Sequence, residues 1–170
     1  RNEKRLVKKV NALEPDVIVF TGDAVNEPGA LPLFKETLGA LEAKLGKFAV
    51  WGNFESWYWP DLDYFTGTGF RLLGNESVTV EKGGEKITVY GLSFEKFELG
   101  VMPAPLPGNA FNIFLFHYPD LIEDVSGLHR ESSQMDYNIN LYLCGHTHGG
   151  QIRLPFYGAM ETFSKFGKKY

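Results

Sequence analysis

A strand, a helix and a second strand follow one another in the first third of the chain, and this order most constrains the fold. Asp16 to Thr21 (DVIVFT) is a continuous β-branched and aromatic run, which is typical of a strand covered on both faces. Leu31 to Leu45 has apolar residues at helical spacing, and Gly46 is its predicted C-terminal stop. Lys47 to Trp51 is a second short apolar strand. The order predicts an α/β fold with a partly parallel sheet and helices on its faces.

A further helix is predicted before the first strand, from Asn2 to Leu13. Leu6, Val10 and Leu13 recur at spacings of three and four residues, so we expect them to form its buried face. Pro15 ends this helix.

The rest of the chain is predicted to be mostly strands. Residues 76–81 and 86–91 alternate polar and apolar side chains around a Gly-Gly pair, which predicts a β-hairpin. The three prolines within 97–109 indicate an irregular connection. Residues 111–116 and 140–144 are short apolar runs and are predicted to be buried strands.

Composition bounds the class of protein. With 170 residues and 44% apolar content, the chain can bury one substantial core, so residues 1–170 are expected to form a single domain. A net charge of −4 argues against a nucleic-acid binder, and no nucleic-acid partner is expected. The single cysteine, Cys144, excludes an internal disulfide framework and is expected to be a packed small side chain.

Polar residues of metal-ligand type stand at the ends of four predicted strands: Asp23, Asn53, His117 and the pair His146 and His148. Ligands bind at the carboxyl ends of strands in open α/β sheets, so these side chains are expected to converge. Each alone could be a turn, cap or loop residue, but all four together favour a metal site. Mixed Asp, Asn and His ligation suits Mn²⁺, Fe or Zn²⁺ rather than a thiolate site.

The ordered motifs Gly22-Asp23, Gly52-Asn53, His117 and Gly145-His146-Thr147-His148 resemble those of the calcineurin-like metallophosphoesterases, whose pattern is DxH, GDxx, GNH[DE], H and GHxH. The resemblance implies a four-layer αββα sandwich, incomplete here at both ends. The longer GHTHGGQIRLP stretch looks like a bacterial branch that includes cell-wall-associated phosphoesterases and lipid-pathway hydrolases of UDP-diacylglucosamine.

The resemblance also implies roles for single residues and two divalent metal ions, Mn, Fe or Zn. Asp23 would bridge the two metals; Asn53, His117 and His146 would complete one site, and His148 would belong to the other. Asp23, Asn53 and His117 would be the catalytic residues. A hydroxide bridging the metals would then attack a phosphodiester or pyrophosphate bond, without a serine or cysteine nucleophile.

Three departures from the family pattern stand out. The chain opens inside the first predicted helix, so DxH has no counterpart and the first metal site is expected to be incomplete. The strands that follow GHxH in family members are also expected to be lacking here. Phe54 replaces the histidine that commonly donates a proton to the leaving group. We therefore expect a preference for pyrophosphate-type or activated diester bonds, whose leaving groups need no proton.

The three tryptophans lie between Trp51 and Trp59, beside Asn53. They are interpreted either as core residues or as an apolar lip that meets a lipid-linked substrate or a membrane surface. Arg153 is expected to be a solvated strand residue, with substrate-phosphate binding as its alternative. His129 is expected to be solvated.

Two other functions compete with a dinuclear phosphoesterase. Phe54 and the lack of DxH also permit a non-catalytic metal-binding or scaffold domain. A mononuclear zinc hydrolase would use His146, His148 and one further ligand, and would leave Asp23 and Asn53 without a role.

Overall fold

The computed structural model describes residues 2–125, 137–150 and 153–169. Its first sheet is parallel throughout and has the strand order β1-β2-β3. These strands are β1 (Val17–Phe20), β2 (Gly46–Ala49) and β3 (Phe70–Leu72). The helices of this part are α1 (Asn2–Asn11), α2 (Leu31–Gly39) between β1 and β2, and α3 (Asn53–Tyr58) after β2. The βαβ order predicted from the sequence is confirmed.

The second sheet has the order β4-β5-β6-β7, in which β4 and β5 form the antiparallel hairpin and the other neighbours are parallel. Its strands are β4 (Asn75–Lys82), β5 (Glu85–Leu92), β6 (Phe111–Leu115) and β7 (Leu141–Leu143). Two short helices accompany it: α4 (Phe94–Glu98) and α5 (Ile122–Val125). A small antiparallel pair follows, β8 (Arg153–Leu154) and β9 (Gly158–Ala159).

The two sheets pack face to face between helices, and alternation along each strand explains how. In β1, Val17 and Val19 contact the cluster between the sheets, while Ile18 and Phe20 contact the cluster beneath α1 and α2. In β6, Leu115 joins the central cluster, and Phe114 faces the layer that contains α4 and α5. The fold is therefore an αββα sandwich, as the resemblance implied.

The two long helices differ in detail from the sequence prediction. α2 ends at Gly39 rather than near Gly46, because Lys44 and Leu45 already donate backbone hydrogen bonds to the segment preceding β1. Val7 and Val10 form the packed face of α1, whereas Leu6 and Leu13 are exposed. Local spacing allowed either stripe, and the position of the sheet selected one.

The expectation that Cys144 is packed was wrong, because its side chain is exposed. It follows β7, which is the terminal strand of the second sheet among the described residues, so no neighbouring strand covers it there. Across the same described ranges, no helix is long and apolar enough to span a bilayer.

Candidate metal centre

Three of the predicted ligands lie together where strands of both sheets end. Asp23 follows β1, His117 follows β6 and His146 follows β7. One potential ligand atom from each lies within 4.8 Å of the others. β1 belongs to one sheet and β6 and β7 to the other, so the cluster forms where the carboxyl ends of two packed sheets meet.

His117 lies at the centre of this cluster and is only 1% exposed. Its Nδ1 is 2.6 Å from the Thr21 carbonyl oxygen. A carbonyl can only accept, so Nδ1 donates this hydrogen bond, and Nε2 is the ring nitrogen that faces the cluster and could bind a metal ion. Nε2 is 3.2 Å from Asp23 Oδ2 and 3.2 Å from His146 Nδ1. Histidines that bind metal through one ring nitrogen commonly donate the other N–H to a main-chain carbonyl, and this hydrogen bond fixes the orientation of the ring.

The residues present fit a divalent metal ion. Two imidazole nitrogens bound at about 2.1 Å to one ion would stand about 3.0 to 3.4 Å apart, which matches the separation of His117 Nε2 and His146 Nδ1. Asn53, the first residue of α3, is buried, and its side-chain oxygen has no hydrogen-bond partner among the described residues. Buried acceptors are normally satisfied, so this oxygen has the character of a ligand atom.

The charges of the cluster favour the forms that bind metal. Burial by itself raises the pKa of Asp23, but the hydrogen bond and charge of a protonated His117 and the hydrogen bond from the Phe54 N–H outweigh it, so the pKa lies below its ordinary value. Burial, followed by the neighbouring His117, lowers the pKa of His146 to about 4, against an opposing effect of Asp23. The Asp23 carboxylate and a neutral His146 are therefore both available near neutral pH.

The ligand-bearing loops have strained backbone. Asp23, His146 and His148 have φ values of 60°, 64° and 52°, in the left-handed region. This region costs a non-glycine residue about 1 kcal/mol or more, and such strain concentrates at functional sites. Gly52 lets the loops meet, because a Cβ there would be 2.5 Å from Asp23 Oδ1 and 2.8 Å from the His117 ring.

Glu55 is a site residue that the sequence analysis did not single out. Its carboxylate is almost fully buried and accepts backbone N–H groups of Asp23 (3.0 Å), Gly52 (2.8 Å) and Ala24. It thereby ties the loop after β1 to the loop after β2. The sequence does contain a signal for this residue. Glu55 is an acidic residue three positions after Gly52, at the start of a helix, and this is the spacing of a capping box.

Two predicted positions lie at the margin of the cluster. His148 is exposed and is not part of the three-residue ligand group. Phe54 donates its backbone N–H to Asp23 Oδ1 at 3.1 Å, and its ring lies 5.1 Å from that of Tyr58. The place of the family histidine is thus taken by an apolar side chain that packs against a neighbouring aromatic ring.

The aromatic segment beside Asn53 is divided between core and surface. Trp51 and Trp59 pack partly against the cluster beneath α1 and α2. Trp57 and Tyr58 are 52% and 57% exposed, which agrees with the interpretation of these two residues as an apolar lip.

Arg153 is not part of the ligand group among the described residues. Arg153 is exposed on β8 and donates to the Gly149 carbonyl at 2.9 Å, which agrees with the solvated-strand interpretation. His129 lies outside the described residues.

Comparisons with known proteins agree with this geometry. The family profile described as calcineurin-like phosphoesterase matches residues 2–150. The chain is 33% identical to the uncharacterized metallophosphoesterase YkuE of Bacillus subtilis, over 98% of this chain and 58% of that protein. It is 32% identical to an uncharacterized metallophosphoesterase of Aquifex aeolicus, over 86% of this chain and 56% of the relative.

A third relative is the phosphodiesterase YaeI of Escherichia coli, 26% identical over 85% of this chain and 53% of its own length. The chain thus spans a little over half the length of these three curated relatives. The profile match covers most of the chain, and the ligand cluster lies on the motifs that carry the resemblance. This chain belongs to the calcineurin-like phosphoesterase family.

Proposed function

We propose that residues 1–170 form part of one catalytic domain of a phosphoesterase that uses two divalent metal ions, Mn, Fe or Zn, to hydrolyse phosphodiester or pyrophosphate bonds. The observation that carries the proposal is the convergence of Asp23, His117 and His146 within 4.8 Å of one another, on motifs of this family.

Each residue has a distinct part in this proposal. The Thr21 carbonyl holds the Nδ1 proton of His117, so that Nε2 faces Asp23 and His146 as a lone-pair donor. Asn53 adds its unpaired oxygen to the same site, and Asp23 is shared with the second site, to which His148 belongs. Bound dications would supply charge stabilisation for the phosphoryl group and an acidified water as nucleophile.

Phe54 bears on the bond that is cleaved. It has no titratable group, whereas general acid catalysis typically contributes about 10² to 10⁴-fold when a leaving group needs a proton. We therefore propose that the substrate has an acidic leaving group, such as a phosphate in a pyrophosphate bond or an activated diester. Comparable rates on simple alkyl phosphates would contradict this preference.

Exposed aromatic side chains near the site support a lipid-linked or nucleotide-sugar substrate. Trp57 and Tyr58 lie on α3, the helix that begins at Asn53, and both are more than half exposed. Tryptophan and tyrosine are favoured where an apolar chain or a membrane surface meets water. The lip would hold the lipid part of the substrate while the phosphate lies at the ligand cluster.

The test is hydrolysis by the full-length protein with and without Mn²⁺. Bis-p-nitrophenyl phosphate and a UDP-sugar lipid would be compared with an alkyl phosphate, and bound metal would be counted by elemental analysis. We expect Mn²⁺-dependent cleavage of an activated substrate and two dications per chain, both lost in Asp23→Ala.

Other results would favour the competing functions. Metal binding without hydrolysis of any substrate would favour a non-catalytic metal-binding or scaffold domain, which Phe54 also permits. One metal per chain, retained in Asp23→Ala, would favour a mononuclear zinc hydrolase.

A further inference from the structure

A pocket of about 300 Å³ opens directly beside the ligand cluster, on the wall formed by His146. Four stretches of chain line it: α4, the loop after β6, the loop after β7 that carries His146, and the C-terminal segment that follows β9. Its wall is mainly aromatic, with Phe97, Phe116, Tyr118, Phe163 and Phe166. We refer to these five residues and His146 as the aromatic pocket.

Phe163 is the most unusual residue of the aromatic pocket. It is 58% exposed, and its φ of 54° lies in the left-handed region, which a bulky side chain rarely adopts. Its ring centroid is 6.0 Å from that of His146 and 6.4 Å from that of His148. An exposed apolar ring held by strained backbone against two histidines of the GHxH motif indicates a role at the site.

The segment that carries Phe163 is fastened in place. Asp120 accepts a hydrogen bond from the Ser164 hydroxyl at 2.5 Å and one from the Lys165 backbone N–H at 2.8 Å. These bonds occupy both carboxylate oxygens and fix the segment to the loop after β6. Lys165 also lines the pocket, and its ammonium group has no acceptor among the described residues, so positive charge is available at the rim.

We propose that the aromatic pocket binds an aromatic ring carried next to the phosphorus, as in an aryl phosphate ester. This inference rests on the proposed function, because the ring is placed by the phosphate that His146 and its neighbours would hold. Rings prefer edge-to-face or offset contact with other rings at about 4.5 to 7 Å, worth about 0.5 to 1.5 kcal/mol beyond area burial. At about 300 Å³ the pocket is at the small end for ligand sites, which suits one ring system better than a long acyl chain.

An aryl ester also agrees with the lack of a proton donor at Phe54, because it is one of the activated esters in the proposed function. Water would attack phosphorus, and the bond between phosphorus and the aryl oxygen would break with its electron pair on that oxygen. The aryl oxide would take its proton from solvent. A phenol has a pKa of about 10, so its oxide leaves without a protein acid.

The test measures binding, so that it does not depend on hydrolysis. Phenylphosphonate, n-hexylphosphonate and methylphosphonate would be titrated calorimetrically into the Mn²⁺-loaded full-length protein. The phenyl and hexyl groups have the same number of carbons, and no phosphonate here can be hydrolysed. We expect phenylphosphonate to bind about tenfold more tightly than the other two.

Variants then assign the preference to the pocket. Phe163→Ala and Phe163→Leu should remove most of the preference for phenylphosphonate over hexyl- and methylphosphonate. Phe156→Ala is the matched control, because Phe156 is fully exposed, also has a positive φ, of 66°, and does not line the pocket. It should keep the preference.

Equal affinity for hexyl- and phenylphosphonate, or a preference that survives in Phe163→Leu, would overturn the proposal. The protein could prefer the phenyl ligand through Phe163 and yet cleave no phosphoester. This result would support ring binding in the aromatic pocket and contradict only the proposed activity. Cleavage of phosphoesters with no ring preference would leave the activity standing and overturn the pocket.

Discussion

The side-chain oxygen of Asn53 gives the most direct support for the proposed metal site. This oxygen is buried and has no hydrogen-bond partner in the described part of the chain. An unsatisfied buried acceptor costs about 1 to 3 kcal/mol in a metal-free protein. A bound ion would remove this cost.

Asn53→Ala should therefore separate folding from metal binding. Without metal, the free energy of unfolding should change by less than about 1 kcal/mol, because the lost contacts are offset by removal of the unpaired acceptor. The rise in Tm that Mn²⁺ produces in the wild type should be mostly lost. Thermal scans in EDTA and in Mn²⁺ measure both effects.

Asn109→Ala is the control, because Asn109 is exposed, and it should keep the full rise in Tm with Mn²⁺. A full rise in Asn53→Ala would contradict the proposal that Asn53 binds the metal.

Glu55 should matter for both stability and metal affinity. Glu55→Gln leaves one acceptor oxygen for the backbone N–H groups of Asp23, Ala24 and Gly52, so at least one buried donor loses its partner. We expect a loss of about 1 to 3 kcal/mol in the free energy of unfolding, measured by urea denaturation of the metal-free protein.

Weaker Mn²⁺ binding should accompany this loss, because Glu55 holds together the loops that carry Asp23 and Asn53. Glu27→Gln alters an exposed carboxylate in the same way and should have almost no effect. Equal stability and equal metal affinity in the two variants would show that Glu55 does not hold these loops together.

At the scale of elements, the C-terminal end of α2 is held by a lysine of β2. Glycine is a common helix stop, so Gly46 was expected to end the helix. The helix ends earlier, at Gly39. The Lys47 ammonium group donates to the carbonyls of Leu38 (3.0 Å), Leu41 (2.8 Å) and Thr68 (2.6 Å). Leu38 lies in the last turn of α2, Leu41 follows the helix and Thr68 precedes β3, so one ammonium group joins the end of the helix to two loops.

Lys47→Met should therefore destabilise the protein by about 1 to 3 kcal/mol, since carbonyls that are partly buried lose a charged donor. Chemical denaturation measures the change. Lys86→Met is the control, because Lys86 is exposed on β5 and its ammonium group has no such set of carbonyls within the described ranges. Similar losses in both variants would show that the contacts of Lys47 do not stabilise α2.

At the scale of the whole molecule, the spacing of the two sheets sets the geometry of the ligand cluster. Asp23 and Asn53 follow strands of the first sheet, while His117 and His146 follow strands of the second. Gly91 in β5 lies at the interface, where a Cβ would be 2.8 Å from Val50 Cγ1 and would overlap Leu73.

Gly91→Ala should therefore change the geometry of the ligand cluster, although Gly91 is not one of its residues. Overpacking costs about 1 to 3 kcal/mol, and moving the sheets apart should also weaken Mn²⁺ binding. Denaturation and calorimetry measure the two effects. Gly108→Ala is the control, because a Cβ there has no neighbour within 4 Å. Unchanged stability and metal affinity in Gly91→Ala would show that the interface adapts and does not set the site.

The sequence by itself determined the strand cores, the hairpin and the position of each candidate ligand after a strand. These follow from local periodicity and from turn residues, which act over a few neighbours along the chain. The motifs and the family resemblance predicted the αββα order. They also identified the candidate ligands, which are Asp23, Asn53, His117, His146 and His148.

Only the tertiary structure decided which of these side chains meet. It brought Asp23 and His117 together across two sheets, left His148 exposed, and gave Glu55 three backbone donors from two loops. It also chose the packed face of α1 and left Cys144 uncovered. These outcomes depend on contacts between residues far apart in the chain, and such contacts leave no periodic trace in the local pattern of residues.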